Sequence, residues 1–416
     1  MNIRFYVACA LFFPLFLFSS CDWGGSEDEM VTPNLRALHA HEQEMVFASS
    51  RFALDLFQQL QKKDDPNQFY SPYSIHQALS MAMNGNEGEV LEEFNNVLRF
   101  EGMSLEEANE AAESLTKFLL ELDPKVRLSI ANAIWYKQEF EANPNFEATV
   151  RNSFKAEVAG LDMANPQSVD VINNWIENNT EGLIKDMLDA IPSTAVMYLV
   201  NAIYFKADWK YRFNSANTHK APFYVTPQQV VEVEMMSMNE SAPMRNYTTE
   251  GLEYLEIPYS TGHYNMGVIT GTDLDTKLQD FSFEDLENWR EQAFEANLIL
   301  HMPKFKMRYK MEELKEDLMA MGLEKPFNPS PVNFTQLFAN PTESMYISRV
   351  IHDALIEVDE WGSEAAAATI VEVDLTSAGP NQPRIFALDK PFVFFIQDNH
   401  SGAILFMGKL GNPALL

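Results

Sequence analysis

Residues 359–376 read DEWGSEAAAATIVEVDLT, and two physical properties coexist in them. Ala365, Ala366, Ala367 and Ala368 are small and carry little packing identity; with Gly362 and Ser363 before them they form a stretch able to bend or slip into a tight gap. The alternate positions Ser363, Ala365, Ala367, Thr369, Val371, Val373 and Leu375 are small or apolar, and Glu364, Glu372 and Asp374 lie between them. That is the period-two pattern of a strand with one buried face. No proline interrupts it before Pro380, so every amide is free to join a ladder. A polar, turn-forming stretch with two prolines, residues 377–383, follows at once. A strand-competent segment thus leads into what reads as an exposed loop. Spacing alone leaves plainer accounts open: an ordinary strand before a surface loop, or an alanine-rich helix start.

Outward from this stretch, the chain reads as α+β. Helical spacing runs over residues 41–62, with Phe47, Leu54, Phe57 and Leu60 on one face, then over 74–83, from about 87, and over 104–122. Apolar and aromatic runs at 127–136, 195–205, 254–259, 264–270 and 296–302 read as strands. Helices recur at 169–179, 283–293 and 312–321, and the last stretch reads as a hairpin, 392–397 and 403–408, around Asp398-Asn399-His400-Ser401-Gly402. Early helices followed by many strands indicate an α+β fold.

The 416 residues carry 60 acidic against 30 basic side chains, a formal charge of −30. A phosphate backbone would be repelled, which excludes nucleic acid as a partner. The only cysteines are Cys9 and Cys21, so packing rather than a disulfide framework must hold the fold, and neither thiol catalysis nor a cysteine metal site is expected. Arg4 and the apolar run 5–18 read as a secretory signal, too short to span a bilayer. Ser19-Ser20-Cys21 resembles a bacterial lipoprotein cleavage site, with Phe18 where that pattern usually has Leu. The expected division is a signal peptide at 1–20, a lipidated Cys21 with a polar tether to residue 40, and one domain at 41–416. The protein is then exported and lipid-anchored to a bacterial outer membrane or its outer surface, with simple secretion as the alternative.

Residues 359–369 also resemble the reactive-loop hinge of inhibitory serpins, in which Glu, Gly, Ser or Thr, Glu and an alanine run occur in this order. Glu360, Gly362, Ser363, Glu364, Ala365, Ala366, Ala367, Ala368 and Thr369 fall on it. Phe69-Tyr-Ser-Pro-Tyr-Ser-Ile75 resembles the family's shutter motif, with Ser71 and Ser74 under the central sheet; Asn132, Asn201 and His352 match its other polar positions. Asn201-Ala-Ile-Tyr-Phe-Lys-Ala-Asp-Trp209, Met302-Pro-Lys-Phe305 and Asp389-Lys-Pro-Phe392 are further matches, Trp209 standing where the loop enters the sheet and Lys304 within reach of Glu360. Read by themselves, Ser71 and Ser74 are equally helix caps, His352 a satisfied core histidine, Trp209 simple core and Lys304–Glu360 a surface ion pair.

The resemblance implies a serpin fold, helices packed around three β-sheets with an exposed reactive loop at about 360–383. It implies an inhibitor rather than an enzyme, consumed by the serine or cysteine protease that cuts the loop, and acting as a monomer with no cofactor and no metal. The scissile residue of the family, fourteen positions after the hinge glycine, falls on Thr376, so the bond is Thr376–Ser377, with Leu375 as runner-up; a small β-branched residue suits elastase-like pockets and Leu375 subtilisin-like ones. Arg384 would suit trypsin-like enzymes but lies late. Burying Val371, Val373 and Leu375 is worth ~1.5–3 kcal/mol each, and roughly ten ladder hydrogen bonds add ~0.5–1.5 kcal/mol each. No elbow of the type Gly-x-Ser-x-Gly, no phosphate-cradling glycine motif and no His-Glu-x-x-His supports an enzyme. Trp361 stands where relatives usually have a small or polar residue.

Overall fold

Helix α1 (Ala40–Leu60) buries Met45, Phe52, Leu56, Phe57 and Leu60. Phe47, expected on that face, is 46% exposed and meets Phe283 edge-on; two residues past Met45 it lies roughly 200° around the helix. The computed structural model describes residues 32–311, 314–339, 344–363 and 383–416. Strand β1 (Asn67–Tyr70) leads to α2 (Pro72–Met83), which starts two residues earlier than its apolar spacing suggests because Ser71 caps it and proline fits the first turn. All of α2 is buried. Then come α3 (Gly88–Val97), α4 (Leu105–Glu121), β2 (Arg127–Lys137), α5 (Pro144–Phe154), β3 (Glu157–Leu161), α6 (Gln167–Asn179) and β4 (Met197–Asp208). A run of antiparallel strands follows, β5 (His219–Thr226), β6 (Gln229–Ser237), β7 (Ala242–Thr249), β8 (Leu252–Pro258) and β9 (Tyr264–Gly271), before α7 (Leu274–Lys277) and α8 (Phe283–Gln292). The last third holds β10 (Phe294–Pro303), β11 (Phe305–Lys310), α9 (Leu314–Ala320), β12 (Arg349–Ile351), β13 (Asp353–Val358), β14 (Gly362–Ser363), β15 (Arg384–Ala387) and the expected hairpin, β16 (Phe392–Asp398) and β17 (Ile404–Leu410).

Among the described residues the strands form two hydrogen-bonded sheets. The larger runs β1-β17-β16-β9-β8-β7-β10-β6-β5, with β15 beside β10. Strand β10 changes partners midway: residues 294–298 pair with β7 and 301–303 with β6. Two of the three sheets that the serpin resemblance implies are therefore joined through one strand. The third is separate, with order β11-β13-β14-β4-β2-β3 and β12 beside β4. Its two halves are each firmly paired. Strand β2 faces β4 over ten rungs, from Arg127–Lys206 to Tyr136–Met197. Strand β11 faces β13 from Phe305–Val358 to Lys310–Asp353, and Lys306–Glu357 at 2.8 Å and Arg308–Asp353 at 2.7 Å tie them on one face. Cationic side chains along β11 also guard an exposed edge strand against pairing with other chains.

The domain begins earlier than residue 41. Residues 33–416 pack as one unit, and residues 33–39, read above as the end of a tether, lie against α4. The Asn34 amide donates to the Leu122 carbonyl at 3.1 Å, and Arg36 forms two bonds to the buried Glu42 carboxylate. A polar segment without periodicity gives no sign of such docking, because its partners are distant in sequence.

Candidate functional site: the hinge and the open edge of the central sheet

At the end of β13 the chain reverses within three residues. The Asp359 carboxylate accepts from the Trp361 amide at 2.8 Å and the Gly362 amide at 3.2 Å, and the Asp359 amide donates to the Gly362 carbonyl at 3.0 Å. This aspartate turn sends Gly362 and Ser363 back between β13 and β4: Ser363 pairs with Val358 on one side and Ala207 on the other, and Gly362 with Asp208. The approach is close. A Cβ on Gly362 would stand 2.1 Å from the Ala207 carbonyl oxygen and 2.7 Å from the Asp208 Cα, so only glycine fits.

Side chains seat this stub. Ser363 Oγ and Tyr259 OH share a hydrogen bond at 2.7 Å, both buried. Trp209 stacks on Tyr259, 4.4 Å between centroids, and its Nε1 donates to the Asp359 carbonyl at 2.8 Å. Glu360 accepts from Lys304 Nζ at 2.7 Å and Thr218 Oγ1 at 2.6 Å. Burial opposes the Glu360 charge, but the bonds from Lys304 and Thr218 outweigh it and hold the carboxyl below its ordinary range. The pair is therefore more than a surface contact: the Glu360 side chain is only 7% exposed. Trp361 gains a reason for its size, since the Arg212 guanidinium lies 5.1 Å from its ring centroid.

Below the stub the two half-sheets part. The edge of β4 from Asn201 to Lys206 and the facing edge of β13 from Asp353 to Glu357 have no strand partner among the described residues. A narrow cleft of about 20 Å³ follows this line, with Ile203, Phe205, Ile356 and Ser363 in its walls. Lower still, β12 closes the sheet by pairing in parallel with β4 over Arg349–Tyr198, Val350–Leu199 and Ile351–Val200. The register is unbroken from top to bottom. Ser363 sits between Val358 and Ala207, and eight residues down each strand Val350 faces Leu199. A further strand would need only lateral separation of the halves, with no sliding.

The polar residues beneath this line converge. The Ser71 amide donates to His352 Nε2 at 2.9 Å, and Ser71 Oγ both donates to the Leu405 carbonyl at 2.6 Å and accepts from the Ser74 amide at 3.2 Å, so Ser71 is cap and cross-link at once. Ser74 Oγ donates to Asn201 Oδ1; Asn201 Nδ2 donates to Asn132 Oδ1 at 2.7 Å, and Asn132 Nδ2 to the Phe154 carbonyl at 3.4 Å. His352 forms the joint between β12 and β13. Complete burial pushes its pKa down to about 3, so it is neutral. Because Nε2 accepts, the proton sits on Nδ1, which is buried without a hydrogen-bond partner among the described residues.

The structure thus brings together Glu360, Gly362, Ser363, Trp209 and Lys304 at one end of the open edge, and Ser71, Ser74, Asn132, Asn201 and His352 beneath its middle. Glu364, Ala365, Ala366, Ala367, Ala368, Thr369, Leu375, Thr376, Ser377 and Cys21 lie outside the described residues. Tyr259 and Thr218 were not singled out in the sequence; nothing local marks them, because each is chosen by a residue more than a hundred positions away. Asp359 carried a usable signal, an aspartate two and three residues before Trp361 and Gly362. Among the described residues no cluster of His, Cys, Asp or Glu is placed to hold a metal ion, and no helix is long and apolar enough to cross a membrane.

Comparison with known proteins gives the same picture from another side. A family model described as Serpin (serine protease inhibitor) matches residues 47–413. Mouse antithrombin-III is 33% identical over 89% of this chain and 82% of its own length. Leukocyte elastase inhibitor of Xenopus laevis is 28% identical over 88% of this chain and 98% of its own length. Among solved structures, the native state of tengpin, a thermophilic serpin, superposes with a TM-score of 0.81 at 28% identity, covering 91% of this chain and 95% of that one.

Proposed function

The chain belongs to the serpin family, and from that premise we propose that it is a single-use inhibitor of serine endopeptidases, able to take cysteine endopeptidases as well, rather than an enzyme. The observation that carries this reading is the open edge: hinge residues Gly362 and Ser363 occupy its top rung, and the backbone groups below them have no strand partner among the described residues while lying in matched register. The target's nucleophile attacks the Thr376 carbonyl carbon, the Ser377 amine leaves with a proton, and an acyl-enzyme remains. The freed segment then continues the strand that Ser363 begins. Loop insertion of this kind is a worked case of sheet addition and switching.

Continuing the antiparallel register from Ser363 puts Ala365, Ala367 and Thr369 on the same inward face. Thr369 then comes level with Asn201 and His352, whose Nδ1 proton lacks an acceptor among the described residues. Residues as far as Thr369 fill unpaired edges; those beyond it must displace the three-rung contact between β12 and β4. The strand β4 ends at Met197, level with Val373 in this register, which leaves about three residues to Thr376 and an ill-matched slack of eleven to Arg384. Strand length therefore favours elastase- or subtilisin-like targets over trypsin-like ones. We place the protein on the bacterial outer membrane, held through Cys21 as a monomer.

Mixing the protein with elastase-, subtilisin- and trypsin-like proteases tests this reading. A covalent adduct stable on a denaturing gel, with the released peptide beginning at Ser377, is the expected result. Cleavage without an adduct would instead indicate a non-inhibitory serpin-fold surface lipoprotein. Mass analysis of the mature amino terminus checks the lipid on Cys21.

A further inference from the structure

Residues 33–39 make an unusually complete set of contacts for the start of a domain. Arg36 grips the Glu42 carboxylate through both guanidinium nitrogens, reaches the Ser114 carbonyl and Oγ on α4 at 3.4 and 3.3 Å, and lies 5.0 Å from the Phe118 ring centroid. The Arg36 carbonyl meets His400 Nε2, in the turn between β16 and β17, at 2.6 Å. Asn34 donates from its amide to Leu122, at the end of α4, and from Nδ2 to Glu121 at 3.2 Å. Glu42 is 1% exposed, so its charge depends on these partners.

Both places that this segment grips lead to one turn, residues 259–264. Two residues past the end of α4, the Asp123 carboxylate accepts from the Thr261 amide and hydroxyl, and within α4 the Leu119 carbonyl accepts from Tyr264 OH at 2.6 Å. From the hairpin turn, Asn399 donates from its amide to the His263 carbonyl and from Nδ2 to the Gly262 carbonyl, each at 2.8 Å. The turn is in turn the floor of the hinge. The Ser260 amide donates to the Asp208 carbonyl at 2.8 Å, Tyr259 OH pairs with Ser363 Oγ, and Tyr259 carries the Trp209 ring. Asp208 is the residue that faces Gly362.

We infer that residues 33–39 are an intramolecular clasp that keeps the hinge seated, acting through α4, the β16–β17 turn and the 259–264 turn. The element with two states is the stub of Gly362 and Ser363, paired or released; the clasp biases it by fixing the floor on which Tyr259 stands. This deepens the inhibitor reading and rests on it, because a seated hinge sets how readily the loop is presented to a protease. An amino-terminal segment thereby gains a regulatory role besides any attachment it provides.

Amide hydrogen exchange on the full mature protein tests the clasp without using inhibition as the readout. The paired variant R36A/E42Q removes the grip without leaving a buried charge, and T261V weakens the route between α4 and the turn by removing the hydroxyl bond to Asp123. Each is expected to raise exchange at the Trp361, Gly362 and Ser363 amides at least about fivefold, the lower range of coupling between sites, with rates along the β2–β4 ladder unchanged. The triple variant should exceed neither. Unchanged hinge exchange overturns the clasp. So does a rise shared by the β2–β4 ladder, which would mean general destabilisation, and so do additive effects in the triple variant, which would mean independent contacts. Wild-type hinge amides without protection would overturn it as well, whereas a wild type that fails to trap any protease while the exchange results hold would place the fault in the inhibitor reading and not in the clasp.

Discussion

The two sheets of this protein are built from similar residues and differ in what is left unfinished. In the larger sheet, β9 is paired on both sides along its length, to β8 and to β16, and Gly267 at its middle lies so close to the Phe395 ring that a Cβ would fall 2.3 Å from it. The central sheet has equally full ladders on its flanks, β2 with β4 and β11 with β13. Between those flanks, among the described residues, it is held by a two-residue stub above and three parallel rungs below. Stability in the first sheet is spread evenly. In the second it is withheld along one line, and the residues that would complete that line belong to the same chain. On the inhibitor reading proposed above, an unfinished ladder in a well-packed domain is a store of free energy that a cut in the reactive loop would release.

The largest effect should come from cutting the loop. Ladder bonds and burial together are worth ~10–20 kcal/mol, which at roughly 1.2 °C per kcal/mol for a domain this long predicts a rise in melting temperature of about 12–25 °C. Calorimetry before and after limited proteolysis reads this directly; equal melting temperatures would erase the distinction between the sheets. Next in size is Ala367→Pro. It removes one donor and leaves an acceptor unpaired, a loss of ~1–3 kcal/mol, or roughly ten- to hundredfold in the partition between trapping and release. The adduct should give way to cleaved, turned-over inhibitor, and undiminished trapping would mean that the strand does not form in this register.

A pair of glycine substitutions compares the sheets on equal terms. Gly267→Ala forces a methyl group against Phe395 where neither side can yield, and the intact protein should lose ~1–3 kcal/mol. Gly362→Ala meets the backbone of β4 even more closely, yet the stub can leave. Global stability should then change by less than ~0.5 kcal/mol while hinge amides lose protection. Equal melting shifts in the two variants would show that the stub is as integral as β9.

The last effect is one that appears only on acidification, and it concerns His352. Its folded pKa of about 3 lies below the ordinary 6.5. The unfolded chain therefore takes up a proton that the folded chain refuses, and stability declines as pH falls from 6.5 toward 3, by at most ~1.4 kcal/mol per pH unit. His352→Gln keeps an acceptor for the Ser71 amide and removes that slope. His76, driven down to about 4 by the same cause, contributes equally to both proteins. Urea titrations at several pH values should diverge below pH 6.5, and parallel profiles would mean that His352 is not the buried neutral base at the joint of β12 and β13.

Much of this was legible before any coordinates. The final hairpin and the β2 and β4 strands show in local periodicity, because each is set by neighbours within a few residues. The alternation in 363–375 reads as a strand, of which Ser363 alone lies among the described residues, and Gly362 was singled out, though only β4 explains why a side chain cannot stand there. What stayed hidden depends on distant pairs: Tyr259 under Ser363, Thr218 on Glu360, and Arg36 on Ser114. Strands such as β5 and β6 were missed because their apolar positions are half-exposed and mixed with charge, so their pattern resembles that of a loop. Phe47 misled because hydrophobicity by itself does not say which side of a helix it falls on.

The matched advance of β4 and of the β12–β13 line makes the molecule a ruler. From Ala207 to Met197 the track is ten residues long, or roughly 34 Å at the rise of an extended chain. Cargo fastened just past the far end of an incoming strand would be hauled that distance, and each pair of rungs gained would have to be broken again for it to return.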